Sequence, residues 1–349
     1  MNMTKRIRIK DLYIGGGAPI TVQSMTNTKT EDVQATVAQI LRLQRAGCDI
    51  VRMSVNTKEA AQAVKEIKQQ VNVPLVADIH FDHSLALLAI ENGIDKIRIN
   101  PSNVGNENAV REVVAAAKDH GIPIRVGVNG GSLEKASADQ YGFSAEALAD
   151  SALRNVRLLE KFGFDNIVIS AKCSDVKMNA EAYRILAKST DYPLHIGVTE
   201  AGGGDLALAK SYAGIGALLL DGIGDTIRVS ITGDPVQEVY AGDLLLKATG
   251  YRKEFVEVIS CPTCARTEIN VAALSEEVKK ATAHIKKHFT VAVMGCVVNG
   301  IGEGKHADIG VAGGKERSAI IRRGEIIKTV PNERILEELL SEIKEAHLD

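Results

Sequence analysis

Between residues 20 and 249 the chain repeats one unit eight times: a short β-branched run, a polar or glycine ending, then an amphipathic helical pattern. The runs fall at 20–25, 50–55, 75–81, 96–100, 124–129, 166–172, 194–200 and 225–231. Helical patterns follow at 31–46, 58–70, 84–92, 108–120, 145–162, 180–189, 206–220 and 235–249. Gly47, Gly93, Gly121 and Gly163 sit just past helix ends, where a left-handed residue closes the last turn. Alternation of this kind builds a parallel sheet covered by helices, and eight units match a (β/α)8 TIM barrel. An open doubly wound sheet is the alternative, but it uses fewer strands and carries its glycine fingerprint after the first strand. Here Gly15-Gly16-Gly17 precedes that strand. The expected architecture is therefore α/β, with a barrel over 1–249 and a smaller α/β domain over 250–349. Residues 131–144, in the longest interval between strands, read as a loop inserted above the barrel mouth.

Alternate side chains of a barrel strand point inward, and the C-terminal strand ends form the functional face. Inward parity at those ends gives Arg52 and Ser54, Asp78 and His80, Arg98 and Asn100, Arg125 and Asn129, Ser170 and Lys172, Glu200, and Arg228 and Ser230. A single strand-end arginine usually means a salt bridge to a nearby loop. Four arginines and a lysine of one parity predict a multiply anionic ligand such as a diphosphate. Asp78, His80 and Glu200 are the acids and bases of this ring. Each is equally able to orient an arginine or to move a proton. The run Gly202-Gly203-Gly204 reads either as close backbone approach to a ligand or as an ordinary flexible loop.

The second domain reads as a strand at 254–259, a helix at 275–288, a strand at 290–296, a glycine-rich turn, a strand at 308–312, a hairpin at 318–329 and a final helix at 333–347. Three of the chain's five cysteines lie here, in Ser260-Cys261-Pro262-Thr263-Cys264 and Met294-Gly295-Cys296-Val297-Val298-Asn299-Gly300-Ile301-Gly302-Glu303. A C-x-x-C alone fits zinc, iron–sulfur or a redox dithiol. Zinc would pair Cys261 and Cys264 with His284 and His288, leaving Cys296 without a role. Iron–sulfur uses Cys296, and with no fourth cysteine in the domain the nearest carboxylate is Glu303. Cys48 and Cys173 read as buried thiols.

Composition excludes several classes. The net charge is -2 and the pI about 6.5, there is no tryptophan, and aromatic residues are only 4%. A global basic field and stacking surface for nucleic acid are both missing. No apolar stretch is long enough to span a membrane. The first ten residues are basic but lack the apolar core of a signal peptide. Five cysteines, an odd number that includes a C-x-x-C, fit a reducing cytoplasm.

With Ser-Cys-Pro-Thr-Cys-x-Arg-Thr at 260–267 and Met-Gly-Cys-Val-Val-Asn-Gly-x-Gly-Glu at 294–303, the chain resembles the 4-hydroxy-3-methylbut-2-en-1-yl diphosphate synthases. These are iron–sulfur oxidoreductases of the methylerythritol phosphate route to isoprenoids. Gly-Val-Thr-Glu-Ala-Gly at 197–202 and Gly-Ile-Gly-Asp-Thr-Ile-Arg-Val-Ser at 222–230 extend the match. Ala265 stands where the family commonly has glycine and Ile301 where it commonly has proline. The middle insertion of plant-type members is absent, as in the two-domain bacterial form. The resemblance implies a dihydropteroate-synthase-like barrel and a cluster domain related to sulfite and nitrite reductases. It implies a 4Fe-4S cluster on Cys261, Cys264, Cys296 and Glu303, the last a ligand able to yield to substrate. It implies reductive ring opening of 2-C-methyl-D-erythritol 2,4-cyclodiphosphate with electrons from flavodoxin or ferredoxin. Diphosphate contacts would fall on Arg52, Arg98, Arg125, Lys172, Arg228 and Ser230, with Asn129 and His80 in support. Glu200 would donate a proton and Asn299 would touch substrate from the cluster domain. A head-to-tail homodimer is implied as well. The competing reading is a non-redox barrel lyase or transferase on a phosphorylated substrate, carrying a structural zinc domain.

Overall fold

The computed structural model describes residues 3–302 and 304–346. The chain divides between Tyr251 and Arg252 into two compact units. Among the described residues no helix is long and apolar enough to cross a membrane.

The first unit opens with a hairpin of β1 (Ile7–Ile9) and β2 (Leu12–Ile14), strands too short to show a periodicity in sequence. Its Ile9 and Ile14 pack with Ile50 and Val76 in a small apolar cluster. Both of those residues sit at the starts of barrel strands, so the hairpin plugs the N-terminal end of the barrel. The barrel strands are β3 (Thr21–Met25), β4 (Ile50–Ser54), β5 (Leu75–Asp78), β6 (Lys96–Ile99), β7 (Ile124–Asn129), β8 (Ile167–Lys172), β9 (His195–Ile196) and β10 (Thr226–Ile227). They pair in the order β8-β7-β6-β5-β4-β3-β10-β9, and the Ile169–Leu194 bridge joins the two ends of that series. The seam there is thin, and a side chain reinforces it. The Tyr183 hydroxyl donates to the His195 carbonyl at 2.7 Å and accepts from the Ala171 N–H at 3.2 Å.

Around the strands lie α1 (Val33–Arg45), α2 (Lys58–Gln70), α3 (His83–Glu91), α4 (Glu107–Asp119), α5 (Lys135–Tyr141), α6 (Ala145–Lys161), α7 (Val176–Ser189), α8 (Gly204–Leu220) and α9 (Pro235–Ala248). A recurring Gly-apolar-Asp sequence turns helix into strand. After α1, Gly47 takes a φ of 94°, Cys48 donates to the Leu43 carbonyl, and the Asp49 carboxylate accepts from the Val22 N–H of the adjacent strand. After α3 the same parts are Gly93, Ile94 and Asp95, with Asp95 accepting from Leu75. The glycine supplies the left-handed closure, the apolar residue enters the core, and the aspartate positions the next strand.

Several expectations need correction. Residues 131–144 are not a plain loop: a short 3-10 turn at Gly130–Ser132 is followed by α5. The two seam strands are shorter than 194–200 and 225–231 suggest, because the chain leaves the ladder after Ile196 and Ile227.

The second unit is a sheet in the order β11-β12-β13-β14-β15, made of Val256–Ser260, Phe289–Met294, Ile309–Ala312, Arg317–Arg322 and Glu325–Pro331. The first three strands run parallel and the rest antiparallel. α10 (Val271–Thr282) and α12 (Ile335–Glu345) contribute to its apolar core. α10 begins earlier than expected because the Asn270 side chain caps it, accepting from the Ala273 N–H. The expected glycine-rich turn after Cys296 is instead α11 (Val297–Gly302).

Ile9→Ala should test the plug. Ile9 is wholly buried, so its truncation should cost about 2–5 kcal/mol, read as a lower urea midpoint for the first unit. An unchanged midpoint would show that the hairpin is dispensable.

Candidate active site

Inward parity converges on a cavity of about 150 Å³ at the C-terminal end of the barrel. Arg52, Asp78, His80, Arg98, Arg125, Asn129, Ser170, Lys172, Thr199, Arg228 and Ser230 line it. The cavity is small and polar, sized for a compact charged group. A larger one of about 590 Å³ lies beside Thr190, Asp191 and Asp225, toward the N-terminal ends of β9 and β10. It lacks convergent cations and is not the better candidate.

Two buried carboxylates organise the cationic ring. Asp78 receives Arg98 Nη1 at 3.1 Å, His80 Nε2 at 3.3 Å and Arg52 Nε at 3.7 Å. Burial alone would raise the Asp78 pKa, but Arg52, the His80 hydrogen bond and Arg98 together hold it below the usual carboxylate range. Arg98 also donates to the Gly127 carbonyl at 3.2 Å. Gly127 is glycine for a steric reason: an added Cβ would stand 2.2 Å from Arg98 Nε. Gly197 makes the same allowance for Lys172, whose Nζ would lie 2.8 Å from a Cβ there.

Glu238 is the second hub, and its parity on a helix kept it out of a strand-end search. It takes Arg228 through both oxygens, at 3.0 and 2.9 Å, a fork-to-fork pairing. It also accepts from Ser24 Oγ at 2.7 Å and from the Ile231 N–H at 3.3 Å. Met25 sits between two arginines, its sulfur accepting from Arg52 Nε at 3.1 Å.

Positive charge remains in excess. The basic side chains Arg52, Arg98, Arg125, Lys172 and Arg228 at the cavity face only Asp78 and Glu238 among the carboxylates described above. Nε and Nη1 of buried Arg125 have no hydrogen-bond partner among the described residues. Burial, then Arg52 and Arg98, press the Arg125 pKa down, and burial followed by Arg125 and Arg52 does the same to Lys172. A guanidinium keeps its proton and bears that cost, whereas an ammonium can give the proton up. Unpaired buried donors cost about 1–3 kcal/mol each, and an anion in the cavity would satisfy them.

Glu200 departs from its expected place. The ladder ends at Ile196, so strand parity no longer governs residue 200. Glu200 is exposed, does not line the cavity, and holds a left-handed φ of 54°. Thr199 occupies the lining position instead.

In the second unit the three cysteines gather at one edge of the sheet. Cys261 follows β11 directly and Cys296 follows β12 by two residues, and these strands are parallel neighbours in register. The Gly295 N–H donates to Cys261 Sγ at 3.2 Å. The two loops interlock where the Glu268 N–H donates to the Gly295 carbonyl at 2.8 Å, and the first loop is braced within itself by the Cys264 N–H donating to the Thr267 hydroxyl at 3.1 Å. Among the described residues no group of three metal-ligating side chains closes on a point. A cluster is bulkier than a single ion and holds its ligands farther apart, so three thiols on two adjoining loops suit it. Asn299 falls in α11, and Glu303 lies outside the described residues.

The zinc grouping fails on geometry. His288 immediately precedes β12, while Cys261 and Cys264 follow its parallel partner β11. Six strand residues separate the two rows, roughly 20 Å. His284 and His288 are both exposed.

Residues 4–243 match the GcpE TIM-barrel domain, and residues 257–345 match the GcpE protein C-terminal domain. The chain belongs to the GcpE family. A relative from Caldanaerobacter subterraneus subsp. tengcongensis, 58% identical over 98% of this chain and 97% of its own length, is named 4-hydroxy-3-methylbut-2-en-1-yl diphosphate synthase (flavodoxin). A Clostridium perfringens protein of the same name is 53% identical over 98% of both chains. Among solved structures, dihydropteroate synthases of Yersinia pestis and Vibrio fischeri ES114 are similar to this GcpE chain, each with a TM-score of 0.51. Their identities are 12% and 13%. The matches cover 71% and 70% of this chain and 100% and 98% of theirs. At such identity the likeness shows the barrel fold alone.

Gly127→Ala tests the ring without removing a charge. The new methyl must displace Arg98, which should weaken binding of inorganic diphosphate by about tenfold or more. Calorimetric titration reads this directly, and unchanged affinity would mean that Arg98 does not hold the anion.

Proposed function

We propose that this GcpE protein is a 4-hydroxy-3-methylbut-2-en-1-yl diphosphate synthase. It converts 2-C-methyl-D-erythritol 2,4-cyclodiphosphate to (E)-4-hydroxy-3-methylbut-2-enyl diphosphate. Two C–O bonds break, one alkene forms and a hydroxyl leaves as water, which consumes two electrons and one proton. The observation that carries the reading is the buried cation excess around a compact cavity. Near-full-length relatives bearing that enzyme's name support it.

In this reading Arg52, Arg98, Arg125, Lys172 and Arg228 hold the two phosphates, with Ser230, Ser170 and Asn129 as neutral donors. Asp78 and Glu238 keep the guanidinium groups in place before substrate arrives, so little reorganisation is needed on binding. His80, hydrogen-bonded to Asp78, is a further donor at the rim. Glu200, exposed on the loop after β9, donates the proton that leaves with the hydroxyl. A 4Fe-4S cluster on Cys261, Cys264 and Cys296, with Glu303 as the expected fourth ligand, supplies electrons singly. Asn299 is the proposed substrate contact carried by the cluster domain. Flavodoxin, which appears in the relatives' names, is the proposed donor, with ferredoxin as the alternative. The proposed assembly is a head-to-tail homodimer in the cytoplasm, the thiol-bearing surface of one copy closing the anion-holding mouth of the other.

Two variants test these assignments. Cys296→Ser should abolish the visible iron–sulfur absorption of anaerobically purified protein, and an unchanged band would refute the ligand set. Glu200→Gln should lower turnover by about 10²–10⁴-fold with that band intact. Full activity would remove Glu200 from the chemistry.

A further inference from the structure

Beneath the ring the barrel interior is polar where bulky aliphatic side chains are the rule. Thr21 and Gln23 of β3, Lys96 of β6, His195 of β9 and Thr226 of β10 are all buried, most of them completely. Among the described residues Lys96 Nζ, both polar atoms of the Gln23 amide, Thr21 Oγ1 and His195 Nε2 have no hydrogen-bond partner. His195 Nδ1 meets Thr226 Oγ1 at 3.4 Å. Lys96 lies two residues before Arg98 on the same inward face, so it stands one layer below the anion cavity.

We propose that Lys96 is a positioning residue of the anion site, and that it takes up a proton as the cyclic diphosphate binds. This rests on the reading of the cavity as a diphosphate site. The geometry supplies the reason. An ammonium in this layer would have no carboxylate to pair with. Arg52 of β4 and Arg125 of β7 face it with like charge. The pKa of His195 of β9 is itself held well below its ordinary value, by burial first and also by the charge of Arg125. Asp78 of β5 is already engaged by Arg52, Arg98 and His80. Burial first, then Arg125 and Arg52, keep the Lys96 pKa well below its ordinary value. Two phosphate charges entering the layer above offset those guanidinium groups, and the amine then gains a proton from solvent. The sign follows: a lysine neutral in the empty barrel and charged in the complex makes binding weaker as pH rises. The change is about tenfold per pH unit for one linked proton.

The cyclic diphosphate suits the test because each of its phosphates carries one charge that does not titrate near neutrality. Anaerobic holoenzyme without reductant is titrated calorimetrically with it in buffers of different ionisation enthalpy. Wild-type protein should take up protons on binding, and Lys96→Met should take up about one fewer. Lys172, also buried among arginines, accounts for any uptake that remains. Lys96→Arg, which carries its charge permanently, should show the same loss and guards against a folding defect in the methionine variant. Binding with no uptake in wild type, or with uptake in both variants equal to that of wild type, overturns the proposal. No binding at all would instead overturn the functional reading beneath it.

Discussion

The structure depends on holding five cations around one small cavity with two carboxylates. Like charges at this density repel, and the barrel must bear that cost before any ligand arrives. It does so by fixing the guanidinium groups on rigid strands and bracing them from below. Asp78 braces Arg52 and Arg98 from one side, while Glu238 braces Arg228 from another. Stability comes from elsewhere, from the continuous apolar layer between the sheet and its helices. The hairpin plug adds a second seal where the interior would otherwise open to water. The outcome is a site under electrostatic strain, which an anion in the cavity would relieve.

The second unit addresses a different chemical problem. It presents thiols, which are soft electron-rich ligands, on loops joined by a backbone hydrogen bond and by the Gly295 N–H to Cys261 Sγ contact. Parallel pairing of β11 with β12 sets the geometry, since it brings the residues after each strand to the same sheet edge. That pairing also removes the zinc alternative by sending His288 to the opposite edge. An anion-holding barrel and a thiol-bearing sheet are complementary parts for a reaction that reduces a diphosphate ester.

Much of this was legible in the sequence because strand periodicity is a strong signal. Arginines two or four residues apart on strands share a face, and that placed Arg52, Arg98, Arg125 and Arg228 at one mouth. The parts that escaped notice obey other rules. Glu238 lies on α9, where strand parity carries no information, and only its ion pair with Arg228 reveals it. Glu200 looked like a ring member until the ladder ended four residues earlier. Residues 131–144 carry too little apolar pattern to announce α5, and the three-residue strands of the plug are shorter than any period. Lys96 was hidden in plain view, on the right face but one layer too deep to be read as part of a mouth.

The most direct test of the central claim is the electron balance of turnover. Anaerobically purified protein is supplied with the cyclic diphosphate and reduced flavodoxin, and product is counted against donor oxidised. The account predicts one open-chain diphosphate for every two electrons, with no consumption when the donor is withheld. Consumption of the cyclic diphosphate without any reductant would contradict it and favour a non-redox lyase.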